Sequence, residues 1–220
     1  MKHVLVVEDD AWMRSLLEQA AAGADREVRS VGSAEEALGL SWTPDLVVCD
    51  ERLPGMHGTR LIEALRGKHG REIPFLVCSG DPVRLPALPL AEFTPKPIDP
   101  AAIQQTIARL LGTGPRFSPL PPEALAALRD GYLRSLPGRL EKAIALAERA
   151  TSDPASAEAL VDELHRLAGS GESHDVGWVT TTARELHDAL SHAPPGPLSP
   201  EQGRKAAAVF RGMMSKIGSA

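Results

Sequence analysis

The stretch Val47-Val48-Cys49-Asp50-Glu51-Arg52-Leu53-Pro54-Gly55 runs apolar residues straight into a carboxylate and then into a Pro-Gly turn. Two distant segments carry related chemistry. Val4-Leu5-Val6-Val7-Glu8-Asp9-Asp10 is a second apolar run ending in acids, and Thr94-Pro95-Lys96-Pro97 sets one lysine between prolines. Ser79 closes a further apolar run, with Gly80 behind it to keep the backbone close and the pocket open. Carboxylates are hard oxygen ligands suited to Mg²⁺, which keeps positions for water and phosphate oxygens. A carboxylate that attacks phosphorus needs its own charge offset, and a metal with an ammonium group supplies that. Three carboxylates, a hydroxyl and a lysine therefore read as a site for Mg²⁺ and a phosphoryl group.

Such a site needs a scaffold that gathers residues far apart in sequence. Residues 1–111 alternate short apolar runs with helical patterns: strands are expected at 3–8, 26–31, 45–50 and 74–79 with a stub at 92–94, and helices at 11–23, 34–40, 58–68 and 99–111. Strands alternating with helices mean βαβ crossovers and a parallel sheet. Ligands bind such sheets outside the carboxyl ends of the strands, where Glu8, Asp9, Asp50 and Ser79 all fall. Only 16 residues separate Ser79 from Lys96, and Pro82, Pro86, Pro89 and Pro95 lie among them. Proline is excluded from helix interiors, so a short or missing fourth helix and a very short last strand are expected.

Residues 112–121, Gly-Thr-Gly-Pro-Arg-Phe-Ser-Pro-Leu-Pro, read as a linker. Residues 122–220 are helical in pattern, with helices expected at 122–134, 136–150, 154–171, 176–192 and 199–217. Asp153-Pro154 and Ser199-Pro200 are helix-start signals. The expected architecture is a four-helix bundle with a leading helix.

Composition narrows the function classes. The 220 residues are 43% hydrophobic but only 4% aromatic, so the cores rest on Leu, Val and Ala, and the net charge is −5. Neither half carries the basic stripe of a nucleic-acid-binding protein. No apolar run reaches the ~20 residues that span a bilayer, and the N-terminus has no signal-peptide layout. Cys49 and Cys78 fall inside expected strands and read as reduced core thiols. The expectation is a cytoplasmic protein with no nucleic-acid or membrane partner.

Residues 1–111 resemble a response-regulator receiver domain of two-component signalling, because five separated elements occur in the right order. The resemblance implies a flavodoxin-like (CheY-like) doubly wound parallel five-stranded sheet of the α/β class. It implies Asp50 as phosphoacceptor, with Glu8, Asp9, Asp50 and the Arg52 backbone carbonyl as Mg²⁺ ligands. Ser79 and Lys96 would contact the phosphoryl oxygens, and Phe93 stands where the family has a switch aromatic. The donor would be a sensor histidine kinase or another bacterial phospho-histidine protein. Arg52 and Asp81 are placed either to pair across the pocket mouth or to stand as solvated charges.

In the second half, Leu160, Leu164 and Leu167 share a helical face. At about 100° per residue, His165 lies roughly 130° from that stripe and is expected to face solvent. Gly169, one turn on, leaves space beside it. This segment resembles a histidine phosphotransfer (HPt) domain, an all-α four-helix bundle in which His165 would carry the phosphoryl group and exchange it with Asp50 or with the aspartate of another receiver. Ala168 stands where many members have lysine, and Asp175 where a second glycine is frequent. The remaining histidines, with Trp178 and Tyr132, read as solvated or packing residues, whereas Trp12 is placed near the pocket mouth. Two functions fit: a phosphorelay protein using Asp50 and His165, or a phosphorylation-controlled binding switch whose helical part does no chemistry at His165. A histidine kinase does not fit, for the histidine lacks a following Glu-Pro and no Gly-rich ATP-binding region exists.

Overall fold

A computed structural model of the chain describes residues 1–80, 89–113, 120–191 and 196–217. It comprises two compact units, Met1–Leu125 and Ala126–Ala220. The first is built from β1 (Lys2–Val7), α1 (Ala11–Ala21), β2 (Arg26–Val31), α2 (Ala34–Gly39), β3 (Leu46–Asp50), α3 (Gly58–His69), β4 (Phe75–Ser79), β5 (Ala91–Pro95) and α4 (Pro100–Leu110). The five strands pair in parallel in the order β2-β1-β3-β4-β5.

The apolar runs follow from that topology. A strand covered on both faces reads as continuous hydrophobic sequence, and Val4–Val7, Leu46–Cys49 and Phe75–Cys78 are all buried. Leu5, Val7, Val47, Cys49, Phe75 and Val77 form one core with Ala34 and Ala37 of α2 and Leu61, Ile62 and Leu65 of α3. The alternate strand residues turn to the opposite face, which α1 and α4 cover in contact with each other. Caps fix the helix starts: Asp10 accepts from the backbone N–H groups of Trp12 and Met13, Ser33 from Glu36, and Asp99 from Ala101.

The last strand is longer than the expected stub. β5 pairs along all of β4, from Phe75↔Ala91 to Ser79↔Pro95. Pro95, with no N–H to donate, is tolerated because β5 is an edge strand. The expected short or missing fourth helix, with Asp81, Pro82 and Pro86, lies outside the described residues.

The second unit is all-helical: α5 (Pro122–Arg149), α6 (Pro154–Ser170), a 3₁₀ turn at Glu172–His174, α7 (Gly177–Ser191) and α8 (Pro200–Ile217). The separate helices expected at 122–134 and 136–150 are one helix, which runs through Pro137. An interior proline costs about 3 kcal/mol. Against that, Tyr132, Leu136, Leu140 and Ala143 are fully buried on one stripe that crosses the proline. Each large apolar side chain so buried contributes about 1.5–3 kcal/mol, enough to hold the helix together. Leu160, Leu164 and Leu167 of α6, Val179 and Ala183 of α7, and Phe210 of α8 are also fully buried, and Tyr132 of the stripe stacks on His174 and accepts from the Ser170 hydroxyl at 3.2 Å. Among the described residues, no helix is long and apolar enough to cross a membrane.

Candidate functional site

Parallel strands bring their carboxyl ends to one edge, and the sheet order sets β1 and β3 side by side, with β4 and β5 following. Glu8 follows β1, Asp50 ends β3, Ser79 ends β4 and Lys96 follows β5. One carboxylate oxygen from each of Glu8, Asp9 and Asp50 lies within 4.8 Å of the others. The Lys96 Nζ donates to Glu8 Oε2 at 3.0 Å and stands 3.2 Å from Asp50 Oδ2. Ser79 is buried beside them, and its carbonyl accepts the Lys96 backbone N–H at 2.8 Å, which fixes where the lysine leaves β5.

Burial dominates the electrostatics. It pushes the Glu8 carboxyl up to about 8, helped by the Asp50, Asp10 and Asp9 charges and opposed by Lys96. Burial also works against the charge on Lys96, but Asp50 and Glu8 outweigh it and the ammonium is held above its ordinary range. Burial pushes the Cys49 and Cys78 thiols up as well, so neither is a ready nucleophile. Asp50 Oδ1 is buried with no hydrogen-bond partner among the described residues. An unsatisfied buried carboxylate oxygen beside two further acids is what a hard divalent cation would satisfy. The residues fit Mg²⁺.

Arg52 is exposed and bridges His57 across the turn after β3, with Gly55 at φ +77° between them. Glu51 staples that turn to α3. Its carboxylate accepts from the Thr59 backbone N–H at 3.0 Å and from the Thr59 hydroxyl at 3.1 Å, with His57 Nδ1 at 3.7 Å. Gly58 permits the close approach: a Cβ there would sit 2.4 Å from the Asp50 carbonyl oxygen. On the other side, Arg14 Nη1 donates to the Glu8 carbonyl at 2.6 Å. Sequence reasoning missed these three residues; a glycine opening a helix was the single available signal. At Gly80, an added Cβ would meet nothing within 4 Å among the described residues. Phe93 and Trp12 are both half-buried.

His165 lies on α6, in the second unit, and is half-buried, whereas Leu160, Leu164 and Leu167 are fully buried. Its ring lies against that of His187 on α7, a neighbour that α6's own periodicity could not reveal. Tyr132 and His174 are packing residues, stacked at 4.7 Å, and His174 Nδ1 lies 2.8 Å from the Ser170 carbonyl oxygen. Trp178 lies beneath Lys216, whose Nζ is 5.5 Å from the ring centre. His192 and Asp81 lie outside the described residues.

The family profile of the response regulator receiver domain matches residues 4–108. The chain is 41% identical over 81 residues to the Regulator of RpoS of Escherichia coli strain K12, covering 36% of this chain and 23% of that protein. It is 38% identical over 68 residues to the DNA-binding transcriptional regulator NtrC of Salmonella typhimurium, covering 30% of this chain and 14% of that one. These matches span less than a quarter of the relatives' lengths. The crystal structure of the receiver domain from the hybrid histidine kinase CckA aligns at 29% identity and a TM-score of 0.43, over 50% of this chain and 98% of that one. With a five-stranded parallel sheet in the order β2-β1-β3-β4-β5 and an acidic pocket at its carboxyl edge, residues 4–108 are the receiver domain of a two-component system, a domain phosphorylated on aspartate.

Proposed function

We propose that this chain is a two-component phosphorelay protein, with a receiver domain at 1–111, a linker at 112–121 and an HPt-like helical domain at 122–220. Asp50 receives a phosphoryl group from a phospho-histidine on a partner such as a sensor histidine kinase. The observation that carries this reading is the buried Lys96 ammonium held between Glu8 and Asp50, beside an Asp50 oxygen with no hydrogen-bond partner among the described residues.

Glu8, Asp9, Asp50 and the Arg52 carbonyl would hold Mg²⁺, which when bound would offset the negative charge of the incoming phosphoryl group. Asp50 attacks phosphorus through a carboxylate oxygen. The P–N bond to the donor imidazole breaks, and the imidazole leaves with the electron pair and takes a proton. Ser79 and Lys96 donate to the phosphoryl oxygens. Onward transfer reverses the atoms: an unprotonated ring nitrogen of His165 attacks phosphorus, the P–O bond to an aspartate breaks, and the carboxylate leaves ionised.

A second reading draws on the half-burial of His165: phosphorylation of Asp50 controls protein docking by the helical domain, with no chemistry at His165. One experiment separates the two. The full chain is charged with acetyl phosphate and Mg²⁺, and wild type, Asp50→Asn and His165→Gln are compared for acid-stable and base-stable label. The relay predicts base-stable phospho-histidine that needs both residues. Acid-stable acyl phosphate on Asp50 alone, with no transfer to or from added phosphorylated receivers, would leave the switch.

A further inference from the structure

The four groups that would hold Mg²⁺ differ in how they are aimed. Glu8, Asp9 and Asp50 offer carboxylates on rotatable side chains, whereas Arg52 offers a backbone carbonyl with no rotamer of its own. Where that oxygen points is set by the turn from Glu51 to Gly58. Pro54 and Gly55 reverse the chain there, Gly55 at φ +77°, and such a turn keeps one path only when it is tied at both ends.

Glu51 ties both. Its backbone N–H donates to the Cys78 carbonyl at 2.9 Å, which fastens the start of the turn to β4. Its own carbonyl accepts the Gly58 N–H at 2.9 Å, and its carboxylate accepts the Thr59 N–H at 3.0 Å and the Thr59 hydroxyl at 3.1 Å. Gly58 and Thr59 open α3, so the first two helical N–H groups both end on residue 51. A helix start is ordinarily capped by the side chain of the residue before it. Here that residue is His57, which makes no such bond among the described residues. The Glu51 side chain is only 12% exposed, and a carboxylate at a helix N-terminus makes charge-assisted bonds that the helix dipole favours. Both its oxygens accept from Thr59, with His57 Nδ1 3.7 Å from Oε1. This acid is engaged with α3 and stands outside the cluster of Glu8, Asp9 and Asp50.

We propose that Glu51 is a positioning residue: by capping α3 from across the turn it fixes the Arg52 carbonyl, and so sets the pocket's preference for Mg²⁺ over larger divalent cations. This rests on the reading of the acidic pocket as a Mg²⁺ site. Mg²⁺ demands near-ideal octahedral geometry, while the larger Ca²⁺ accepts irregular shells. A carbonyl that wanders penalises the first ion far more than the second.

The test titrates Mg²⁺ and Ca²⁺ into the full chain by isothermal calorimetry. Wild type is compared with Glu51→Gln, Glu51→Leu and Thr59→Val, with Asp50→Asn as the control for the site. Leu is close to Glu in size and removes both acceptor oxygens, Gln keeps one, and Thr59→Val removes only the hydroxyl bond. Glu51→Leu should weaken Mg²⁺ about tenfold, as loss of a partner that orients a metal ligand does, and Ca²⁺ by about twofold or less. Glu51→Gln and Thr59→Val should fall in between. Loss of a nearby negative charge would instead weaken both ions alike and make Gln equal to Leu. That result overturns the inference, as does wild-type Mg²⁺ affinity in Glu51→Leu. Thr59→Val keeps every charge and decides the matter if the Glu51 variants do not fold: a lowered preference for Mg²⁺ over Ca²⁺ supports the inference, and an unchanged one overturns it. A wild-type chain whose Mg²⁺ binding is absent, or indifferent to Asp50→Asn, overturns the metal reading of the pocket and this inference with it.

Discussion

Glu8 sets the proton balance of the acidic pocket. Its carboxyl is raised from an ordinary 4.5 to about 8, chiefly by burial, so the folded metal-free protein holds a proton that the unfolded chain has lost. The stability this confers is full below about pH 4.5 and falls as pH rises towards 8. Mg²⁺ needs the carboxylate and must expel that proton. Mg²⁺ affinity should therefore climb with pH up to about 8, by as much as tenfold per unit for one coupled proton. Calorimetric titration in buffers of different ionisation enthalpy measures the proton released; affinity that is flat from pH 6 to 8 with no release would refute the linkage. Glu8, Asp50 and Ser79 were legible as a set because each ends or follows an apolar strand, and parallel strands bring those ends together; Lys96 was legible from its place between Pro95 and Pro97. Arg14 and Glu51 were not, since each acts through a tertiary contact, on the Glu8 carbonyl and on Thr59, that no local pattern announces.

At the scale of elements, two junctions carry predictions. The start of α3 lies so close to the end of β3 that a Cβ at Gly58 would come 2.4 Å from the Asp50 carbonyl oxygen and 3.1 Å from Cys49 Sγ. The first of these neighbours is backbone and cannot rotate away. Gly58→Ala should cost about 1–3 kcal/mol, as overpacking does, and should slow acetyl phosphate labelling of Asp50 by displacing its backbone. Urea unfolding and labelling rates check both, and unchanged values would show that the junction yields. In α5, Pro137→Ala restores a helical N–H and removes a ring from the helix interior. It should stabilise the helical unit by about 1–3 kcal/mol, read from thermal unfolding by circular dichroism; destabilisation would show that the ring itself packs. The same proline explains where sequence reading stopped short. Locally Pro137-Gly138 reads as a break, and the buried stripe Tyr132, Leu136, Leu140 and Ala143 overrides it; the partners of Tyr132, Ser170 and His174, lie far along the chain where no local pattern reveals them. Strand β5 is a similar case: Ala91-Glu92-Phe93-Thr94-Pro95 is only half-buried and weakly patterned, and its length comes from the register with β4.

For the whole molecule, the question is whether its two units respond together, and Mg²⁺ separates the possibilities. The acids that could hold the metal all lie in the first unit. A ligand that binds only the folded state stabilises it by mass action, about 2.7 kcal/mol at a hundred times its dissociation constant. The tryptophans allow each unit to be watched in the full chain, since Trp12 and Trp42 lie in the first unit and Trp178 in the second. In a Trp178→Phe chain, emission follows the first unit alone, and Mg²⁺ should raise its unfolding midpoint. In a Trp12→Phe/Trp42→Phe chain, emission follows the helical unit, whose midpoint should stay fixed. Asp50→Asn should abolish or sharply reduce the first shift. A helical unit that moves in step with the receiver would mean that the two unfold as one. That result favours the docking switch, because occupancy of the acidic pocket would then be felt at a distance. A fixed midpoint favours the relay, in which the two units need communicate only through the phosphoryl group that one passes to the other.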